Sequence, residues 1–383
     1  MNLTFSSEDN AFREEVRAFI GANLPAETRR KMEEGRALTK DEIVCWQRIL
    51  NARGWAAPSW PKEAGGPGWT PVQRHIFLDE LHQAPAPEPL SFNVAMIGPV
   101  LIAFGNDEQK ARFLPRAANL DDWWAQGFSE PGAGSDLASL KTSAVRDGDG
   151  YIVNGQKMWQ GMAHRADWMF TLVRTDPKAP KKQAGITFLL IDLKSTGVTI
   201  RPIITVDGRH EVNEVFLDNV RVPVSCRIGD ENNGWTYAKF LLSNERTGIA
   251  RIGMTKRLIA RAKGFALQAA EPNRTRILER AAMLEAELKA VEITQLRLLA
   301  SLKQGAPDPR SSILKLKGVE LRQAAGELLL KAAGPAAYAF AYEDEDEAPF
   351  DIASNFFTLR GASIYGGANE VQKNILAASL LGL

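Results

Sequence analysis

The chain has 383 residues, 45% hydrophobic and 24% charged, and its 47 Lys plus Arg against 46 Asp plus Glu leave a net charge of +1. That length can bury a core without disulfides or structural metals, as two or three domains or one multi-lobed unit, and the composition is that of an ordinary soluble globular protein. The charge balance supplies no field for nucleic acid or anionic membrane, no apolar run reaches the roughly 18–20 residues of a span, and the N-terminus MNLTFSSEDNAFREEVRAF lacks the pattern of a secretory signal, so a cytoplasmic protein is expected.

Residues 1–122 read as a helical domain. Ser6 or Ser7 can cap a helix with Glu8 and Asp9 in its first turn, and Phe12, Val16, Phe19 and Ile20 line one face until Pro25 stops it. A second amphipathic run carries Ile43, Trp46, Ile49 and Leu50. The prolines and glycines of WAAPSWPKEAGGPGW (55–69) break regular structure, and helices are predicted again over 71–81 and 107–114.

Between 123 and 229 the period changes from helical to alternating. DGDG (147–150) is a turn leading into Tyr151-Ile152-Val153, and strand-like runs follow at 168–175, 185–193, 198–203 and 212–223. Close strands without long intervening helices predict an antiparallel barrel or sandwich rather than a Rossmann unit. Residues 230–383 return to helical periodicity, with segments over 235–270, 275–304 and 311–333. The acidic run Glu343 to Glu347, ahead of Pro349, reads as a solvated loop.

Cys45 and Cys226 are far apart, and the four histidines are scattered, with only His75 and His82 near each other at a spacing unlike H-E-x-x-H. A thiolate cluster, metal catalysis and a Ser-His-Asp hydrolase are therefore disfavoured, which leaves a carboxylate, a bound cofactor, or both. Four segments offer such chemistry. GFSEPGAGSD (127–136) is a loop whose main chain can approach a planar or phosphorylated ligand closely, with Ser129 and Ser135 as hydrogen-bonding groups, and it reads equally as a tight structural turn. NGQKMW (154–159) ends a strand at Trp159, whose indole could flank a flavin-sized ring. Glu245 lies on the apolar stripe Leu241, Leu242, Ile249 and Ile252 of an expected helix, either desolvated and basic or paired at the rim. SIYGGANEVQKNILA (363–377) interrupts a helical region with two glycines before a helix starting near Asn369, which is a natural anion site and also an ordinary helical turn.

In this order and spacing the segments resemble the acyl-CoA dehydrogenase family over essentially the whole chain. GFSEPGAGSD is similar to its S/T-E-P-x-x-G-S-D loop and SIYGGANEVQ to its I-Y-x-G-T-S-E-I-Q segment. The stretches 60–70, 120–142 and 244–253 look particularly like the large subunits of pimeloyl-CoA dehydrogenases. The resemblance implies an N-terminal all-α domain, a central β-domain and a C-terminal helical bundle. It also implies FAD as cofactor, oxidation of an acyl-CoA thioester to its 2,3-enoyl form, reoxidation by electron-transferring flavoprotein, and a tetramer. In that chemistry a carboxylate takes the α-proton while the β-hydrogen leaves as hydride to flavin N5.

Carried over residue by residue, the flavin is expected against Gln126, Phe128, Ser129, Gly134, Ser135, Trp159, Gly161, Gly367, Ala368 and Glu370, with Ser135 and Arg246 toward the CoA moiety. Many members carry the base as the x of I-Y-x-G, which here is Gly366. Others carry a Glu in an earlier E-R pair, which Glu245-Arg246 matches, so the resemblance makes Glu245 the expected base. Departures are Gly161, where the family has a hydroxyl residue, Ala368-Asn369 in place of T-S, and the lack of an R-x-x-F-G around Arg274 and Arg276. They favour a heteromeric enzyme in which a paralogous subunit completes the site, and the assembly is expected to be a homo- or heterotetramer. The alternatives are a non-catalytic structural subunit of such an assembly, a steroid side-chain acyl-CoA dehydrogenase, or an oxidase or monooxygenase on the same fold.

Overall fold

A computed structural model describes residues 5–244, 250–301, 308–338 and 352–383. Helix α1 (Ser7–Asn23) starts where expected. The Ser6 hydroxyl accepts from the Asp9 N–H while the Asp9 carboxylate accepts from the Ser6 N–H, which satisfies two otherwise orphaned donors. Val16 and Ile20 are fully buried, and Phe12 and Phe19 pack on Trp55. Pro25 ends α1 and caps α2 (Ala26–Glu34), after which come α3 (Lys40–Ala52), α4 (Pro71–Gln83), α5 (Gly98–Phe104) and α6 (Asp107–Ala118). The last continues past the predicted end at Leu114 and through Pro115. Its final turn is held by a two-pronged Arg116–Asp122 pair at 2.6 and 2.7 Å.

The middle of the chain forms one eight-stranded sheet from β1 (Trp124–Gly127), β2 (Ser143–Asp147), β3 (Gly150–Gly161), β4 (Trp168–Arg174), β5 (Ile186–Asp192), β6 (Val198–Ile203), β7 (Val212–Pro223) and β8 (Arg227–Ile228). Its order is β6-β7-β3-β2-β4-β5-β8, with β1 beside β4; the pairs of β4 with β1 and β2 are parallel and the others antiparallel. Local sequence explains the layout. Strands β4 and β5 are nearly continuous apolar runs and are buried on both faces, whereas β6, with Pro202 and alternating exposure, is an edge strand. One core joins the sheet to α5, α6 and α7 (Gly234–Asn244) through Trp124, Phe113, Phe170 and Leu241.

The C-terminal helices are α8 (Ile252–Ala266), α9 (Asn273–Ser301), α10 (Ser311–Ala333), α11 (Ile352–Thr358) and α12 (Asn369–Leu376). Helices α8, α9, α10 and the start of α11 share a second core around Leu284, Leu288, Leu314 and Leu328. The single helix expected over 235–270 is not what forms. Arg251, at φ +47°, caps α8 in the left-handed region, which no α-helix interior accommodates. The Leu241–Ile252 stripe is therefore not one helical face. The acidic run 343–347 lies outside the described residues.

A seam ties these layers together. In the loop before β7, the Asp207 carbonyl accepts from Ser354 Oγ at 2.7 Å and its carboxylate from Thr358 Oγ1 at 2.5 Å, both on α11. Asn355 donates to the Gly35 carbonyl at 3.2 Å, and Arg165 to that of Leu38 at 3.0 Å. N-terminal helices, sheet and C-terminal helices thus meet at one place. Among the described residues no helix is long and apolar enough to cross a membrane.

Candidate functional site

The loop after β1 is pinned from within. Buried Glu130 accepts from the Lys141 and Thr142 N–H groups at 2.7 and 2.9 Å and from Lys157 Nζ at 2.8 Å. Lys157, on β3 and 0% exposed, also donates to the carbonyls of Leu172 at 2.7 Å and Phe128 at 3.3 Å. Burial pushes the Lys157 pKa down to about 8 against the opposing pull of Glu130. Burial would raise the Glu130 carboxyl, but Lys157 and the two N–H donors hold it below its ordinary value. Glu130 and Ala133 exchange N–H···O bonds of 3.0 Å each, so the turn at its centre is structural.

The glycines of this loop, Gly132 inside that turn and Gly134 just past it, are not needed for its geometry. A Cβ on Gly132 or Gly134 would meet nothing within 4 Å, and neither has a positive φ, so the space they leave faces outward, as does the exposed Ser135. The Ser129 carbonyl accepts from the Met158 N–H at 2.9 Å and from Gln160 Nε2 at 3.3 Å. Between those two donors β3 bulges, and Trp159, at φ +71° and 54% exposed, is turned out of the sheet. A large aromatic face is thus presented beside an open glycine loop, an arrangement that fits a planar cofactor such as the flavin of FAD. Gln126 on β1 is half-buried, while the Phe128 side chain packs edge-on to Phe170 and Phe188 and its carbonyl is taken by Lys157. The strand extends to Gly161, two residues beyond the predicted end. A Cβ there would come within 2.8 Å of the Phe92 ring, so an aromatic side chain occupies the position where a hydroxyl was expected.

The C-terminal segment is fixed from another direction, by α10. Gly366 and Gly367 take φ +64° and +91°, Ala368 caps α12, and Glu370 is exposed in its first turn. A Cβ on Gly367 would strike Gln372, a buried side chain that accepts from Ser312 Oγ at 2.8 Å. Glu245 and Arg246 lie outside the described residues. Their flanks are firm: Leu241 and Ala250 are fully buried, and a Cβ on Gly318 of α10 would come within 2.6 Å of Ala250. Arg274 donates to the Ala269 carbonyl at 3.1 Å.

A charged cluster that sequence patterns did not reveal lies beside this segment. Glu88 Oε1 pairs with His82 Nε2 at 2.5 Å and with Arg251 Nη1 at 2.6 Å. Burial pushes its carboxyl up, but Arg251 and His82 outweigh that and bring it down to about 2. Its members come from α4, the loop after it, and α8, so no local motif announces them. Lys157 and Phe92 escaped notice for related reasons: one is a charge at an inward strand position, the other an ordinary apolar residue in a helical stretch.

The chain matches the acyl-CoA dehydrogenase N-terminal domain over residues 6–121, the middle domain over 125–220 and the C-terminal domain over 232–381. It is 34% identical over 388 residues to acyl-CoA dehydrogenase IpdE1 of Mycobacterium tuberculosis, covering 97% of each chain, and 32% identical to acyl-CoA dehydrogenase FadE26 of that organism, covering 100% and 99%. Among solved structures it superposes on the Tcur3481-Tcur3483 steroid ACAD with a TM-score of 0.88 and 30% identity, and on the ChsE4-ChsE5 complex from Mycobacterium tuberculosis with 0.84 and 31%, each over 100% of this chain and 99% of the other. The chain belongs to the acyl-CoA dehydrogenases, a family of FAD-dependent oxidoreductases that act on acyl-CoA.

Proposed function

We propose that this chain binds FAD and dehydrogenates an acyl-CoA thioester between its α- and β-carbons, with electron-transferring flavoprotein as acceptor. The observation that carries this reading is the exposed Trp159 face beside the outward-open Gly132–Ser135 loop, both locked by the buried Glu130–Lys157 pair. Gln126, the Phe128 main chain, Ser129, Gly134, Ser135, Trp159 and Gly161 would hold the flavin, and Gly367, Ala368 and Glu370 complete the set. When bound, the flavin supplies the hydride acceptor. Glu245 takes the α-proton, and the neighbouring Arg246 and Ser135 bind the CoA portion. The domain limits that organise this reading are 1–122, 123–229 and 230–383.

The acyl group is read as a dicarboxylyl chain such as pimeloyl, or another bulky group; a steroid side chain is the alternative. Assembly is read as a homo- or heterotetramer with a paralogous subunit. Relatives described as two-component complexes, together with the missing hydroxyl at Gly161, support the heteromeric form. The same features favour the second reading, a half-site subunit that supports a partner's chemistry.

Anaerobic titration separates these readings. A flavin band in the chain purified alone, bleached by pimeloyl-CoA or palmitoyl-CoA, supports a self-sufficient dehydrogenase. A colourless chain that becomes yellow only on co-expression with a paralogue supports a shared flavin site. A flavin that no acyl-CoA bleaches, alone or in the complex, overturns the proposal.

A further inference from the structure

Arg322, on α10, is 4% exposed, and its Nε has no hydrogen-bond partner. It stands one turn beyond Gly318, the residue pressed against Ala250, so it lies on the α10 face that meets the start of α8. Arg251, Glu88 and Tyr365 are its charged and polar neighbours. Burial pushes its pKa down, with Tyr365 and Glu88 favouring the charge and Arg251 opposing it. Glu88, the carboxylate among the described residues that favours its charge, already pairs with Arg251 and His82 through one oxygen. The two acids of α4 are taken up elsewhere, Asp79 by Lys256 and Gln83 and Glu80 by Arg13 and Arg17. The Arg322 and Arg251 guanidiniums and the His82 ring thus gather around the Glu88 carboxylate in a largely buried setting. A buried cation with an unsatisfied donor is costly unless an anion completes it.

We propose that Arg322, with the Tyr365 hydroxyl and the partly exposed Arg251, forms a binding site for the terminal carboxylate of an ω-carboxyacyl thioester. The planar two-oxygen anion matches the guanidinium fork, and the Nε left open is one of the donors a bidentate contact uses. The location defines which end of the substrate arrives there. Tyr365 immediately precedes Gly366-Gly367, so the cluster adjoins that segment of the proposed active site, and Arg251 follows Glu245 by six residues in sequence. The assignment rests on the dehydrogenase reading and gives it a substrate class.

The test uses the flavin-loaded enzyme, with its paralogous subunit if that is required for flavin, and compares pimeloyl-CoA with heptanoyl-CoA. These thioesters share CoA and chain length and differ only at the far end. The wild type is expected to favour pimeloyl-CoA in kcat/KM. Arg322→Gln is expected to lower that ratio by about tenfold or more, chiefly through KM for pimeloyl-CoA. Arg322→Lys should restore part of it, and Tyr365→Phe, at an exposed position, should lower it by less without threatening the fold. A wild-type ratio near one overturns the proposal. So does an Arg322→Gln variant that depresses both substrates equally, which would assign the arginine to a CoA phosphate or to packing. If neither thioester bleaches the flavin, the dehydrogenase reading itself fails and takes this site with it.

Discussion

The ring of Phe92 covers the α-carbon of Gly161, its Cζ 2.8 Å from where a Cβ at that position would stand. Phe92 opens a π-helical turn whose next residue, Asn93, is fully buried. Asn93 donates to the carbonyls of Ala117 and Asp122 at 3.0 and 2.7 Å and accepts from the Trp124 N–H at 3.0 Å. The ring therefore has little freedom to withdraw. Gly161→Thr should cost about 1–3 kcal/mol in stability and reduce flavin content. Adding Phe92→Ala should recover most of both, as read by thermal unfolding and the ratio of visible to protein absorbance. An additive double variant would show that the two residues do not share this space.

The Glu130–Lys157 pair gives a second expectation. Glu130→Gln leaves a buried ammonium without its counter-charge and should destabilise the protein by about 3–5 kcal/mol. Replacing both, as Glu130→Gln with Lys157→Met, removes the stranded charge and should recover part of that loss. Denaturant titration of the four proteins yields the coupling energy, and flavin retention in the double variant reports whether the ligand loop keeps its shape without the pair.

For Glu245, replacement by Gln should preserve folding and flavin binding while kcat falls by about 10²- to 10⁴-fold, the range for removing a general base. A stopped-flow measurement of flavin bleaching isolates the chemical step. Bleaching at the wild-type rate would remove Glu245 from proton abstraction.

Glu88 makes a pH prediction. Its folded pKa of about 2 lies below the ordinary 4.5, so the folded state binds that proton more weakly than the unfolded chain. The stability it contributes is fully present above pH 4.5 and is lost as pH falls toward 2, amounting to about 3 kcal/mol at most. Thermal midpoints measured between pH 6 and pH 3 should fall more steeply for the wild type than for Glu88→Gln. Parallel slopes would show that the carboxylate is not held down in the folded state.

Much of the fold could be read in the sequence because its signals are local. Ser6, Thr70 and Pro71 announce helix starts through their own side chains, and the runs that became β4 to β7 show their periodicity without knowledge of their partners. The short β1 carried no such signal, since four residues cannot display a period and its place is set by pairing with β4. The break at Arg251 was invisible because an arginine does not advertise a positive φ. The 127–136 loop was legible through its glycines, yet what fixes it, Lys157, is a charge on a strand's inner face. Only packing reveals such a residue. The basic cluster around Arg322 draws on α4, α8, α10 and Tyr365, and no linear pattern could assemble it.

The seam at Asp207 has a bearing on timing. Sheet and C-terminal helices are joined there by hydroxyl donors from α11 to one residue's carbonyl and carboxylate, with Asn355 and Arg165 extending the stitching to the N-terminal helices. The sheet, which bears Trp159, and the C-terminal helices, which bear the SIYGG segment, are thereby joined during folding, before any substrate arrives. A protein built this way spends little of its ligand's binding energy on closing one lobe over another. Its rate should follow the quality of alignment at the reacting atoms rather than the frequency of a large-scale motion.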